Sequence, residues 1–160
     1  MDALEHEGPP ATLTLDLGPG VKLDLVLIPA GKFTMGSPET ERDRNPDETQ
    51  HEVTISQPFY MGKCQVTQEQ YEALMGTNPA HFKGTKNPVE KVSWDDAKLF
   101  CEKLSAKLPF TQPSPRAGEG QWTIQLPTEA QWEYACRAGT TTPFNTGKTI
   151  STQQANYDGD

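Results

Sequence analysis

Apolar and polar residues alternate along residues 12–17 and again along residues 21–25, and a Gly-Pro-Gly turn separates the two runs. Alternation with a period of two is typical of half-buried strands, and two such runs joined by a turn predict a β-hairpin. The second run continues as wholly apolar sequence to residue 28, so we expect that strand to become more deeply buried as it proceeds. Shorter strands are predicted at residues 32–36, 53–55 and 59–61.

Three later segments carry the signals of capped helices, which begin at Thr67, Ser93 and Thr128. A glutamine follows each threonine three residues later, and this spacing is the capping-box pattern. The first helix is predicted to stop at Gly76. The third is predicted to close at Gly139, because glycine adopts the left-handed conformation that ends many helices.

Apolar side chains recur at helical spacing on the first two predicted helices, and we interpret them as packing residues. On the first helix they are Tyr71, Leu74 and Met75, and on the second Ala97, Phe100, Cys101 and Leu104. Three further aromatic residues, Trp94, Trp132 and Tyr134, are predicted to hold the scaffold together without contacting a substrate.

The composition indicates one loop-rich domain. The chain has 160 residues, of which 34% are hydrophobic, with 13 glycines and 14 prolines, and its mean hydropathy is −0.69. We therefore expect sparse secondary structure and an irregular fold. Residues 1–11 are predicted to form a disordered lead-in to a domain at residues 12–160. The Pro- and Gly-rich residues 107–121 are predicted to form an inserted surface loop.

The charge balance disfavours two classes of partner. The net charge is −8, and no cluster of lysine and arginine provides the basic surface that nucleic acid or an anionic membrane requires. No apolar run is long enough to span a bilayer. The acidic N-terminus lacks the basic and apolar regions of a secretory signal. We therefore expect a cytoplasmic protein that binds neither nucleic acid nor membrane.

The three cysteines, Cys64, Cys101 and Cys136, are widely spaced and contain no C-x-x-C motif. Neither a zinc ribbon nor a disulfide framework is supported, and all three are predicted to be small buried apolar residues. Residues 37–52 are rich in carboxylates. A metal-binding loop is conceivable there, but without EF-hand spacing we favour a solvated loop.

Four blocks of sequence resemble the formylglycine-generating enzyme family, also called sulfatase-modifying factors. They read LPTEAQWEYA at residues 126–135, VLIPAGKFTMGS at 26–37, PVEKVSWDDA at 88–97 and ANY at 155–157. The resemblance implies an irregular, C-type-lectin-like α+β fold, of which this chain would be the N-terminal portion. Family members carry Gly-Asn-Val-Trp-Glu-Trp and Arg-Gly-Gly-Ser-Trp motifs in their second half, and neither motif occurs here.

The resemblance also implies a chemistry. Family enzymes use a pair of cysteines in the second half to bind copper(I) and activate oxygen, and they oxidise a cysteine of a sulfatase to formylglycine. No cysteine of this chain matches that pair, so the resemblance assigns no catalytic residue here. It does assign a partial calcium site, with Asn156 supplying a side-chain oxygen and Tyr157 a backbone carbonyl.

Three hypotheses follow for the function. The first is a copper- and oxygen-dependent oxidase of the formylglycine-generating type, or the N-terminal part of one, with a sulfatase-like polypeptide as its partner. The second is a non-catalytic binding or regulatory module that uses the same scaffold to bind another protein chain. The third is a truncated, partly folded remnant of such a domain.

Overall fold

A computed structural model describes residues 9–41, 44–108 and 123–154 of the chain. Several predictions concern residues outside these ranges: the start of the lead-in, most of the inserted loop at 107–121, and the calcium ligands Asn156 and Tyr157. Within the described ranges, no helix is long and apolar enough to cross a membrane.

Every predicted strand and helix is present in the described residues. In chain order they are β1 (Thr12–Gly18), β2 (Val21–Ile28), β3 (Gly31–Met35), β4 (His51–Ile55), β5 (Phe59–Gly62), α1 (Gln68–Met75), α2 (Trp94–Ala106) and α3 (Glu129–Arg137). All strand pairs are antiparallel. The predicted α+β class, with few short strands and three helices, is therefore confirmed. The chain divides into two compact units, the first formed by the described residues up to Pro29 and from Pro58 to Leu126, the second by the remainder.

The first unit contains a three-stranded sheet in the order β1-β2-β5. The predicted hairpin is confirmed, with Leu15 opposite Leu23, and Gly20 turns the chain at a φ of 77°, a conformation that glycine adopts without steric cost. Leu23 is the buried residue of β2, whereas the apolar end at residues 25–28 is half-buried. The prediction of deepening burial is wrong, because that end is apolar on both faces and the described residues fully cover neither.

The core of the first unit is formed by the β1–β2 hairpin, α1 and α2. Its buried members are Leu15, Leu17, Leu23, Tyr71, Phe100, Cys101, Leu104 and Leu108. The rings of Tyr71 and Phe100 stack with centroids 5.7 Å apart and an interplanar angle of 6°, an arrangement that adds about 1 kcal/mol to simple burial. The predicted packing faces of α1 and α2 are thus confirmed.

The second unit combines the antiparallel pair β3–β4 with α3. In the strand register Gly31 lies opposite Ile55 and Met35 opposite His51. α3 packs on β3, where the Tyr134 ring lies 5.2 Å from that of Phe33, centroid to centroid. Tyr134 therefore stabilises the unit, as predicted.

The same role predicted for Trp94 and Trp132 is wrong. Trp94 is 66% exposed and Trp132 is 55% exposed, and α3 has no buried residue. The ammonium of Lys98 lies 4.5 Å from the centroid of the Trp94 ring, on the solvent side of α2. Helical spacing placed both tryptophans on helices but did not reveal which faces of those helices the fold would cover.

Capping begins all three helices as predicted. Thr67, Ser93 and Thr128 each accept a hydrogen bond from the backbone N–H three residues on, and the side chain at that later position bonds back to the cap. Each such cap stabilises its helix by about 1 kcal/mol. The end of α3 differs from the prediction by one residue, because Ala138 already adopts a left-handed φ of 46° before Gly139 does so at 84°.

Candidate functional site

A charged pair on α3 fixes the end of β3 in the second unit. Glu133 and Arg137 lie one helical turn apart, with 2.7 Å between Arg137 Nη2 and Glu133 Oε1. Glu133 Oε1 also accepts the N–H of Gly36 at 3.0 Å, and Arg137 Nη2 donates to the carbonyl of Gly36 at 3.0 Å. The pair therefore satisfies both backbone groups of Gly36. Its groups are engaged in holding the fold rather than directed at a ligand.

Two glycines of the second unit permit close packing around this junction. A Cβ on Gly31 would lie 2.3 Å from the Tyr134 hydroxyl oxygen. Gly36 has a φ of 92°, and a Cβ there would lie 2.7 Å from the carbonyl oxygen of Glu48. Real Cβ atoms do not approach so closely, so both positions require glycine for the observed packing. Close packing therefore explains both glycines of the VLIPAGKFTMGS block.

The carboxylate-rich loop at residues 37–52 is anchored by a buried serine. Ser37 is 6% exposed, and its hydroxyl donates to Glu48 Oε2 at 2.8 Å and accepts from Arg44 Nε at 3.2 Å. Two hydrogen bonds hold the pKa of Glu48 below its ordinary value: the one from Ser37 has the larger effect, and the one from Asn45 the smaller. This carboxylate is thus used as a hydrogen-bond acceptor within the loop.

A buried glutamine organises the first unit in a comparable way. Gln68, at the start of α1, is 1% exposed. Its amide nitrogen donates to the carbonyls of Phe82 at 2.8 Å and Pro88 at 3.4 Å. Its amide oxygen accepts from Asn78 Nδ2 at 3.0 Å and from the N–H of Gly84 at 3.1 Å. One side chain therefore fixes four points of the segment that follows α1. Because Gln68 is buried, the loss of any one of these hydrogen bonds would lower the stability of the fold.

That segment, residues 78–91, is called loop 78–91 below. Glu90 Oε1 accepts the N–H of Phe82 at 2.9 Å and also that of His81. The pKa of Glu90 is lowered, chiefly by the hydrogen bond from the Phe82 N–H, although desolvation acts in the opposite direction. Lys91, the last residue of the loop, has a φ of 58°, a left-handed conformation that is uncommon for lysine and persists where surrounding contacts impose it.

Gln68 and Glu90 were missed as organising residues by sequence reasoning. Gln68 simply follows the cap residue of a predicted helix, and Glu90 lies within the PVEKVSWDDA block. No spacing rule connects residue 68 with carbonyls fourteen and twenty positions later. Their roles depend on the path of an irregular loop.

The cysteines differ from their predicted character at two of three positions. Cys101 is buried, as predicted, but Cys64 and Cys136 are exposed. Burial raises the pKa of the Cys101 thiol, and the nearby charge of Glu102 raises it further. Cys64 follows β5 at a turn, and Cys136 lies on α3, a helix with no buried side chain. The fold therefore leaves both of these thiols accessible.

Copper and calcium are the cofactors that the family resemblance implies. Copper(I) is bound by soft thiolates, but the Cys101 thiol lies in an apolar core that favours its neutral form. Cys101 is therefore a poor copper(I) ligand. The described residues contain no group of three or more His, Cys, Asp or Glu side chains that could hold a metal. Asn156 and Tyr157 lie outside them, so the partial calcium site stays a prediction.

A family model described as the sulfatase-modifying factor enzyme 1-like domain matches residues 20–159. The chain belongs to this FGE-sulfatase family. The matched residues include the capped helix α3, the β3–β4 pair and loop 78–91, so the elements described above are those of the family domain. The resemblance stated from the four sequence blocks is confirmed.

Individual relatives carry different names. The chain is 37% identical over 137 residues to the chaperone protein LppX of Paenibacillus barcinonensis, covering 72% of this chain and 46% of that protein. It is 25% identical over 167 residues to the formylglycine-generating enzyme of Mus musculus, covering 72% of this chain and 40% of the enzyme. The structure resembles Treponema denticola variable protein 1 with a TM-score of 0.72 and 27% identity, covering 91% of this chain and 63% of that one. The chain thus spans less than half the length of the LppX chaperone and of the mouse formylglycine-generating enzyme.

Proposed function

We propose that this chain is a polypeptide-binding module built on the FGE-sulfatase scaffold. The observation that carries the proposal is the exposure of large aromatic side chains on two helices and on loop 78–91: Trp94 at 66%, Trp132 at 55% and Phe82 at 73%. Aromatic residues of this kind are enriched in protein interfaces and supply much of their binding energy.

Two further observations support a binding role. The polar side chains best placed for chemistry, Gln68, Glu90, Glu133 and Arg137, are engaged with backbone groups of the protein itself. The relative named as a chaperone and the relative named as a formylglycine-generating enzyme both imply a polypeptide as the molecule acted on. Binding a polypeptide is therefore the property that these two names have in common.

The test uses fluorescence anisotropy to measure binding of a labelled, unfolded polypeptide. This polypeptide cannot refold, because its cysteines are reduced and alkylated. We expect saturable binding of this chain to the unfolded polypeptide and weaker binding to the same polypeptide in its folded form. Circular dichroism must first show a cooperative melt, which would also exclude the partly folded remnant. Equal signals for both forms, or none for either, would contradict the proposal.

A matched pair of variants on α2 sharpens the test. Trp94→Ala removes an exposed ring and should weaken binding, whereas Lys98→Ala removes the ammonium above that ring and should leave the ring available. If Trp94 contributes to binding, Trp94→Ala should lose affinity and Lys98→Ala should keep it. Parallel losses in both would point to damage to α2 instead.

The family match specifically favours a second candidate, oxidation of a sulfatase cysteine to formylglycine. The chain would be mixed with copper(I), dioxygen and a Cys-x-Pro-x-Arg peptide, and the peptide analysed by mass spectrometry. Because no cysteine of this chain matches the catalytic pair of the family enzymes, we expect the peptide to keep its cysteine. Formation of the aldehyde by the purified chain would establish it as an oxidase.

A further inference from the structure

Loop 78–91 holds an aromatic side chain in solvent on a fixed backbone. Phe82 is 73% exposed, the highest value for a large apolar side chain among the described residues. Its N–H donates to Glu90, and its carbonyl accepts from the buried amide of Gln68. The His81 ring meets the Phe82 ring edge-on, with centroids 4.8 Å apart. A side chain presented in this way loses little conformational freedom on binding, which favours affinity.

The charge of the loop contrasts with that of the chain. Its charged residues are Lys83, Lys86, Lys91 and Glu90, a positive balance in a protein whose net charge is −8. Lys86 is paired with Glu69. Lys83 donates to the carbonyl oxygen of Asn78 at 3.0 Å, a neutral acceptor that leaves the ammonium charge in place. Glu90 is directed at the backbone N–H groups of His81 and Phe82.

We propose that loop 78–91 is a docking surface for an acidic polypeptide segment that carries a large apolar side chain. The apolar side chain of the partner packs on Phe82, and its carboxylates pair with Lys83 and Lys91. The inference rests on the polypeptide binding proposed above and names the class of sequence that is bound. The left-handed conformation of Lys91 belongs to the same surface, since backbone strain of this kind concentrates at binding sites.

The experiment compares two fluorescent peptides of equal length binding to the full chain. Both have a central tryptophan, flanked by aspartate and glutamate in one and by lysine in the other. We expect the acidic peptide to bind at least about tenfold more tightly, and its affinity to fall as salt is added because the charges are exposed.

Variants of the loop locate the binding. Phe82→Ala should weaken binding of the acidic peptide by about tenfold or more, the effect of removing a central aromatic contact. Phe144→Ala is the matched control, since it removes a 38% exposed phenylalanine from the second unit, and it should leave affinity unchanged.

The outcomes separate this inference from the proposed function. Equal affinity for the two peptides, or equal behaviour of Phe82→Ala and Phe144→Ala, overturns the docking surface while binding of unfolded polypeptide stands. Failure to bind any polypeptide overturns both. The comparison of peptides on the unaltered chain, together with Lys83→Gln, keeps the test decisive if Phe82→Ala melts at a lower temperature.

Discussion

Replacing Gly31 with alanine should strain the second unit through one identifiable contact. The added Cβ would lie 2.3 Å from the Tyr134 hydroxyl oxygen and 3.3 Å from Cζ of the same ring. The oxygen is the atom in conflict, because 3.3 Å to carbon requires a shift of only a few tenths of an ångström. Removing that oxygen with Tyr134→Phe should therefore relieve most of the strain that Gly31→Ala introduces.

The magnitude follows from the two ways the unit can respond. If the Tyr134 ring stays, overpacking at such a contact costs about 1–3 kcal/mol. If the ring swings away, it loses its contact with Phe33, whose centroid is 5.2 Å away, a loss of about 0.5–1.5 kcal/mol in addition to burial. The protein takes the cheaper response, so we expect Gly31→Ala to lower the free energy of unfolding by about 1–2 kcal/mol.

The assay is a double-mutant cycle in which the thermal unfolding of each variant is monitored by circular dichroism. For a chain of this size, about 1–2 kcal/mol corresponds to a fall in melting temperature of roughly 2–8 °C. The double variant should be more stable than Gly31→Ala alone, with a coupling energy of at least about 0.5 kcal/mol between the two positions. Additive effects of the two changes would refute the assignment of the conflict to the tyrosine hydroxyl.

Three further predictions concern the charged pair, the thiols and acid. Arg137→Gln should lower the free energy of unfolding in urea by about 1–3 kcal/mol, because it leaves the partly buried Glu133 carboxylate without its guanidinium, and an unchanged urea midpoint would contradict this. A thiol reagent should label Cys64 and Cys136 quickly and Cys101 only on unfolding, since Cys101 is buried and its pKa is raised; three equal rates would be inconsistent with the core. The pKa of Glu90 is held below its ordinary value of 4.5, so its contribution to stability is complete above that value and disappears as pH falls through the lowered pKa. Glu90→Gln should therefore flatten the fall of melting temperature in that acidic window, and a profile parallel to that of the unaltered chain would argue against the role of this carboxylate.

Local sequence patterns predicted the elements of the fold well, because each element depends on interactions within a few residues. The three helix starts follow from side chains that bond to backbone groups three positions away. The β1–β2 hairpin follows from alternation and a glycine turn. Even the one-residue error at the end of α3 is local, since Ala138 and Gly139 share the left-handed turn.

Features set by long-range packing were not predictable in the same way. Whether Trp132 is buried depends on what covers α3, and its own spacing on the helix carries no such information. The same applies to Cys136. The four bonds of Gln68 depend on the path of loop 78–91, whose irregular sequence has no period to read. The resemblance of four sequence blocks identified the family but could not assign these contacts.

The hydrogen bond from Gly36 to Glu133 joins residues 97 positions apart, and this separation has a consequence for biosynthesis. A ribosome adding about 5–20 residues per second needs roughly 5–20 s to cover that distance. β3 is complete when that interval begins and β4 is synthesised early in it, whereas α3 is made only as the interval ends. The face of the β3–β4 pair that carries Phe33 stays uncovered until Tyr134 is made. The rate of translation through the intervening codons therefore sets how long this apolar face is open to premature association.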